Sequence, residues 1–158
     1  MPTVFISVGS NFCRSKNISI ALKALSYLFG ELTLSTVYGS EAVGFIGHHF
    51  YNLVISFETA LSLNVVSKQL KNIEKAQGRS HVKNQVTIDL DVLLYGDLID
   101  KSRNLPRDDI TENAFVLRPL SEIAAHLKHP SLDTYYDDLW KAYPKKKQRL
   151  WQVKNVIA

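Results

Sequence analysis

Hydrophobic positions along the chain change their period several times, and each change marks an element. Thr3–Ser7 alternates like a strand, and Gly9-Ser10-Asn11 reads as the turn after it. From Asn17 to Phe29, Ile18, Ala21, Leu22, Leu25 and Leu28 recur at helical spacing, which predicts a helix stopped by Gly30. Leu32–Tyr38 and Asn52–Glu58 read as strands on either side of a loop, Gly39–Tyr51, that carries Gly39, Gly44 and Gly47 with Phe45, His48, His49 and Phe50. Ser62 caps a helix running to about Gln77 that turns Val65, Val66, Leu70 and Ile73 inward. The polar loop Gly78–Asn84 leads into residues 86–95, rich in Val, Ile, Leu and Tyr and closed by a Gly-Asp turn, a mostly buried strand. A polar stretch at Lys101–Asn113, a helical segment from Phe115 to Ala124, a short helix near Thr134–Trp140 and a basic end complete the chain.

Strand, helix, strand, strand, helix, strand is the order of a ferredoxin-like βαββαβ core. The expected class is α+β: a four-stranded antiparallel sheet with helices on one face and extra C-terminal elements. No repeat or linker divides the 158 residues, so a single domain over residues 1–158 is expected. A chain of this length buries about two thirds of its unfolded surface and needs no metal or disulfide staple. Cys13 is the only cysteine, which excludes an internal disulfide and a cysteine-based zinc site and fits a reducing compartment. No apolar run approaches the roughly 18 residues of a membrane span, and Met1–Ile6 enters a strand without a basic leader. A cytoplasmic protein with no membrane partner is therefore expected. The net charge of +4 owes much to Lys141, Lys145, Lys146, Lys147 and Arg149, read as a solvated end and not as a nucleic-acid surface. Nothing in the pattern specifies an oligomeric state.

Two acids interrupt the apolar run at 86–95. On a strand, Asp89 and Asp91 share one face, about 6–7 Å apart, while Val86, Ile88, Leu90 and Val92 take the core face. Paired carboxylates on a central strand repel and lose hydration, a cost seldom accepted without a cation between them. Hard oxygen ligands of this kind suit Mg²⁺, which completes its shell with water and substrate phosphates. The alternative is two solvated acids on the open face of an antiparallel sheet.

Five segments in order carry more. Val8-Gly9-Ser10-Asn11, Gly44-x-x-Gly47-x-x-Phe50-x-Asn52, Glu74-x-x-x-Gly78-Arg79, Ile88-Asp89-Leu90-Asp91 and Phe115-Val116-Leu117-x-Pro119-Leu120-x-Glu122-Ile123-Ala124 together resemble the 6-hydroxymethyl-7,8-dihydropterin pyrophosphokinases, over about residues 3–130. The resemblance implies ATP as co-substrate, two Mg²⁺ ions held by Asp89 and Asp91, and transfer of a pyrophosphoryl group to the pterin hydroxymethyl in folate synthesis, releasing AMP. It implies Glu74 and Arg79 on the ATP side, with Arg79 also serving catalysis. Ser40, Glu41, Val43, Phe50, Asn52 and Phe115 are implied around the pterin.

Departures from the family pattern fall on cations. Val86 stands where the family carries an arginine, His81 and Lys83 stand in place of a second, Pro106-Arg107 replaces a Pro-His pair, and Asn113 replaces an arginine two residues before Phe115. Lys83, Arg103, Arg107 and Arg118 are the candidates to compensate; of these, Lys83, Arg103 and Arg107 are assigned to the ATP site. An active pyrophosphokinase and a catalytically weak or inactive paralogue that binds a pterin or nucleotide both fit this pattern. Asp89 and Asp91 favour the enzyme and the missing cations the paralogue. An RNA-binding module of the same fold is disfavoured by an acidic sheet face.

Overall fold

The computed structural model describes residues 1–157. Its elements are β1 (Thr3–Ser10), α1 (Arg14–Phe29), β2 (Thr33–Leu34), β3 (Val37–Ser40), β4 (Phe50–Glu58), α2 (Leu63–Gln77), β5 (Asp89–Tyr95), α3 (Asp109–Glu112), α4 (Ala114–Ile123), α5 (Tyr136–Ala142) and β6 (Leu150–Val153). The strands make one antiparallel sheet ordered β5-β1-β4-β3-β6, with β2 also pairing on β4.

A mixed α and β fold on an antiparallel sheet agrees with the sequence, but the sheet has six strands where four were expected. One extra strand arises because Leu32–Tyr38 divides. The Ser35 N–H donates to the Val54 carbonyl and the Val54 N–H donates to Ser35 Oγ, each at 2.9 Å, so a hydroxyl replaces a carbonyl in the ladder and the strand is interrupted. The other is β6, which pairs Leu150 to Val153 against Ser40 to Val37. Lys145–Arg149 is thus an exposed connection into a paired strand, not a free basic end. Trp151 of β6 packs over Gly39 of β3: a Cβ there would fall 2.1 Å from its Nε1, so any larger residue would displace the indole.

Alternation along β1 sorts the two faces of the sheet. Val4, Ile6 and Val8 join Ile18, Ala21 and Leu25 of α1, Val66, Leu70 and Ile73 of α2, Leu53 and Ile55 of β4, and Leu90 of β5 in one core. Val65, expected inward, is 40% exposed, because the inner stripe of α2 is Leu63, Val66, Leu70 and Ile73. The Ser62 cap forms as expected, its Oγ accepting from the Val65 N–H at 3.3 Å. Opposite, Phe5 and Val54 pack with Leu93 and Leu94 against Ile110, Val116, Leu117, Leu120 and Tyr136. Helices therefore cover both faces, where the sequence reading placed them on one. A bulge helps: Ile6 pairs with Val92 but Phe5 with Leu94, which lets both Leu93 and Leu94 reach the second core.

Boundaries near the site also move. Gly9 and Ser10 continue β1 instead of turning, and β5 begins at Asp89. Val86 is half-buried and outside the core it was expected to join. Its N–H donates to Asn11 Oδ1 at 2.6 Å and its carbonyl accepts from the Asn11 N–H at 3.1 Å, so a side chain ends the β1–β5 ladder.

Candidate active site

The site lies where the C-terminal helices leave the second face of the sheet open. Gly9 in the central strand pairs with Asn52 on one side and Asp89 on the other, and Ser7 pairs with Val54 and Asp91. Directly opposed residues of antiparallel strands share a face. Asn52, Asp89 and Asp91 therefore emerge together, separated only by a glycine.

They open onto a cavity of about 220 Å³, also lined by Ser7, Ser40, Glu41, Val43, Phe45, Phe50, Arg107, Asp109, Phe115 and Val116. Every residue the resemblance assigned to the pterin is in this list, together with both acids. A Cβ on Gly9 would stand 3.4 Å from Asn52 Oδ1 and 3.8 Å from the Phe50 ring, so a larger side chain would grow into the cavity. Asn52 is 6% exposed and its amide nitrogen donates to Ser40 Oγ at 2.8 Å and to the Tyr38 carbonyl at 3.3 Å. With the amide so oriented, its hydrogens serve β3 and Oδ1 is left as an acceptor. Phe50 meets Phe45 edge-on at 6.2 Å. Gly47 makes room for that ring, since a Cβ there would lie 2.8 Å from Phe45. Phe115 occupies the first turn of α4, half-buried against the second core.

Two further clefts meet the acids from the other side. One of about 540 Å³ is lined by Lys71, Glu74, Lys75, Arg79, Val86 and Asp89 among others. The other, about 190 Å³, includes Lys71, Asp91, Arg103 and Arg107. Arg79, Arg103 and Arg107 thus reach clefts shared with an acid, whereas Lys83 is exposed and lines none of these three. Glu74 is tied in place by accepting from the Leu90 N–H at 2.9 Å.

Electrostatics single out the acid pair. Burial in the cleft, then the Asp89 charge, pushes Asp91 up to about 6 against the partial relief of Arg107 at 3.5 Å. Asp89 is raised as well, by burial in the cleft and then by Glu74. Its outer edge is open to water, so the repulsion from Glu74 is the firmer of the two causes. Among the described residues no third His, Cys, Asp or Glu completes a metal cage with them. The donor set is two carboxylates short of positive charge, beside clefts lined by Lys and Arg.

Residues 5–125 match the family described as 7,8-dihydro-6-hydroxymethylpterin-pyrophosphokinase. The chain belongs to that family. It is 37% identical over 139 residues to the 2-amino-4-hydroxy-6-hydroxymethyldihydropteridine pyrophosphokinase of Haemophilus influenzae, covering 83% of this chain and 87% of that protein. The corresponding enzyme of Pseudomonas aeruginosa is 33% identical over 135 residues, covering 80% and 83%. Folic acid synthesis protein fol1 of Pneumocystis carinii is 35% identical over 147 residues; 86% of this chain matches 20% of its length. Among solved structures, an HPPK-DHPS in complex with substrates aligns with a TM-score of 0.73 at 12% identity, over 92% of this chain and 44% of that one. Wild-type Plasmodium falciparum HPPK-DHPS with SDX-DHP gives 0.73 at 13%, over 98% and 49%. At such identities the likeness speaks for the fold, and the chain spans less than half of those solved chains.

Sequence reasoning missed Asp109, Phe45 and Gln148. Asp109 takes Arg107 Nε at 2.8 Å and had a faint signal as the acid two places after a displaced cation. Phe45 hid among loop residues. Gln148 reaches Asn113 across 35 positions, which no local pattern discloses.

Proposed function

We propose that this chain transfers the pyrophosphoryl group of ATP to the hydroxymethyl oxygen of 6-hydroxymethyl-7,8-dihydropterin, releasing AMP, as a step of folate biosynthesis. Family membership supports pyrophosphoryl transfer, and the register that sets Asn52 and Asp89 on either side of Gly9 carries the reading to this site. One cavity wall is aromatic and amide-bearing, as a flat heterocycle requires, and the opposite wall is acid and flanked by cations, as a polyphosphate requires. The reading takes the core β5-β1-β4-β3 as ferredoxin-like and residues 1–158 as one catalytic domain acting in the cytoplasm. No helix among the described residues is long and apolar enough to cross a membrane.

In the reaction the hydroxymethyl oxygen attacks the β-phosphorus, the bond from that phosphorus to the oxygen bridging it to the α-phosphorus breaks, AMP leaves with that oxygen, and the hydroxyl proton passes to solvent water. Phe50 and Phe115 sandwich the ring, and Asn52 Oδ1 accepts from an N–H of its edge. Ser40, Glu41 and Val43 close that edge. Asp89 and Asp91 would hold Mg²⁺, whose charge neutralises the phosphate oxygens when bound. Arg79, Arg103 and Arg107 orient the triphosphate from the two outer clefts, and Glu74 supports the strand bearing the acids. Positioning and charge supply the rate in such a transfer. The test is AMP release from Mg–ATP with hydroxymethyldihydropterin. AMP that depends on both substrates and vanishes with chelator supports the reading; none, with both substrates bound, leaves a binding paralogue.

A further inference from the structure

The two family positions that changed near the C-terminal helices are wired together. Arg107 and Asn113 bind the same carboxylate: Arg107 Nε donates to Asp109 Oδ2 at 2.8 Å, and Asn113 Nδ2 donates to Oδ1 at 3.1 Å. Asn113 Oδ1 accepts from Gln148 Nε2 at 2.8 Å, and Gln148 Oε1 accepts from the Ala114 N–H at 2.8 Å. The Arg107 N–H donates to the Leu93 carbonyl at 3.0 Å, which fixes its backbone to β5. Its Nη2 lies 3.5 Å from Asp91. The guanidinium is therefore held at its backbone and at Nε, and it presents its Nη end to the acid pair. Arginine unanchored at Nε would sweep that end over many rotamers.

We propose that Asp109, steadied by Asn113 and Gln148, is a positioning residue that aims Arg107 at the triphosphate. This rests on the pyrophosphokinase reading. Asp109 lines the shared cavity and acts on the nucleotide through Arg107, and Gln148, in the connection to β6, acts through Asn113 and Asp109. A charged residue anchored by a rigid network keeps the orientation that a phosphate contact needs. The chain thereby couples its C-terminal segment to the nucleotide half of the site.

The test compares Arg107→Ala, Asp109→Asn, their double variant and Gln148→Ala. Asp109→Asn is expected to lower kcat/KM for Mg–ATP by about tenfold with the pterin KM within about twofold of the parent. The double variant should lose no more than Arg107→Ala alone, because the positioning residue has nothing left to position. Gln148→Ala, remote from both substrates, should lower the same parameter by about threefold. A non-hydrolysable ATP analogue titrated with Mg²⁺ should show the same order of affinities and the same non-additivity. That arm decides the proposal even if the parent chain makes no AMP, an outcome that would count against the pyrophosphokinase reading alone. Losses that multiply in the double variant overturn the proposal. So does an Asp109→Asn or Gln148→Ala protein that is less stable but has unchanged Mg–ATP parameters.

Discussion

The two faces of the sheet are made by the same strands and do different work. On the first, Val4, Ile6 and Val8 pack against the buried stripes of α1 and α2 in one continuous apolar cluster. On the second, Phe5 and Val54 meet α4, but one pleat further along the apolar run stops and Ser7, Gly9, Asn52, Asp89 and Asp91 take its place. A strand presents successive residues to opposite sides, so one set of strands can carry a continuous core and a polar site back to back. The first face supplies stability to the second, whose acids are a net burden on it. Variants on the two faces should therefore separate activity from stability.

The largest effect is expected at the acids. Asp89→Ala or Asp91→Ala should abolish Mg²⁺-dependent nucleotide binding and lower turnover by about 10²-fold or more, with an unchanged circular dichroism spectrum. Undiminished Mg–nucleotide affinity in both variants would remove the metal assignment. On the opposite face, Ile6→Ala should reduce unfolding free energy by about 2–5 kcal/mol in urea while the folded fraction keeps its turnover. A comparable loss of kcat there would mean that the faces are not separable.

Within the site, Phe115→Ala should weaken pterin binding by about 1–3 kcal/mol, measured by calorimetry, through lost stacking and apolar contact. Unchanged affinity would put the heterocycle elsewhere. Val86→Arg should raise turnover by about tenfold, because Val86 lines the cleft of Arg79 and Asp89 and does not point into the core. No gain would show that Arg79, Arg103 and Arg107 already fill the role.

The smallest effect concerns pH. Asp91 holds its proton up to about 6 in the fold, against an ordinary carboxylate value of about 4 when unfolded. The folded state binds more protons in that window, so this contribution to stability is present below about pH 4 and is lost as pH rises to about 6. Asp91→Asn should then raise Tm by about 2–4 °C at pH 7 and by nothing at pH 4. Scanning calorimetry without divalent ions would show it, and an equal shift at both values would tie the effect to packing instead of charge.

Much of this was legible along the chain. The helix periods, the Ser62 cap, the Gly30 stop and the pairing of Asp89 with Asp91 follow from spacing alone, because each depends on residues a few positions apart. The pterin positions were assigned because their spacing resembles a family, and nothing local distinguishes Phe50 or Phe115 from core phenylalanines. The strand bearing Val86 was read as starting too early, since its apolar run is continuous while the ladder ends on the Asn11 side chain, a partner 75 residues away.

By itself the sequence determined the helices α1 and α2, the central strands β1 and β4, most of the inward stripe of those helices and the types of group at the site. Tertiary structure decided which groups meet. The β1 register sets Asn52 and Asp89 on either side of Gly9, and packing of the C-terminal helices leaves that stretch of sheet uncovered. It also decided that Arg107 faces Asp91 and Lys83 does not, although both are cations in polar stretches near the acids in sequence. Side-chain type is a local property, whereas orientation depends on hydrogen bonds between residues such as Asn113 and Gln148, brought together only after the chain has closed on itself.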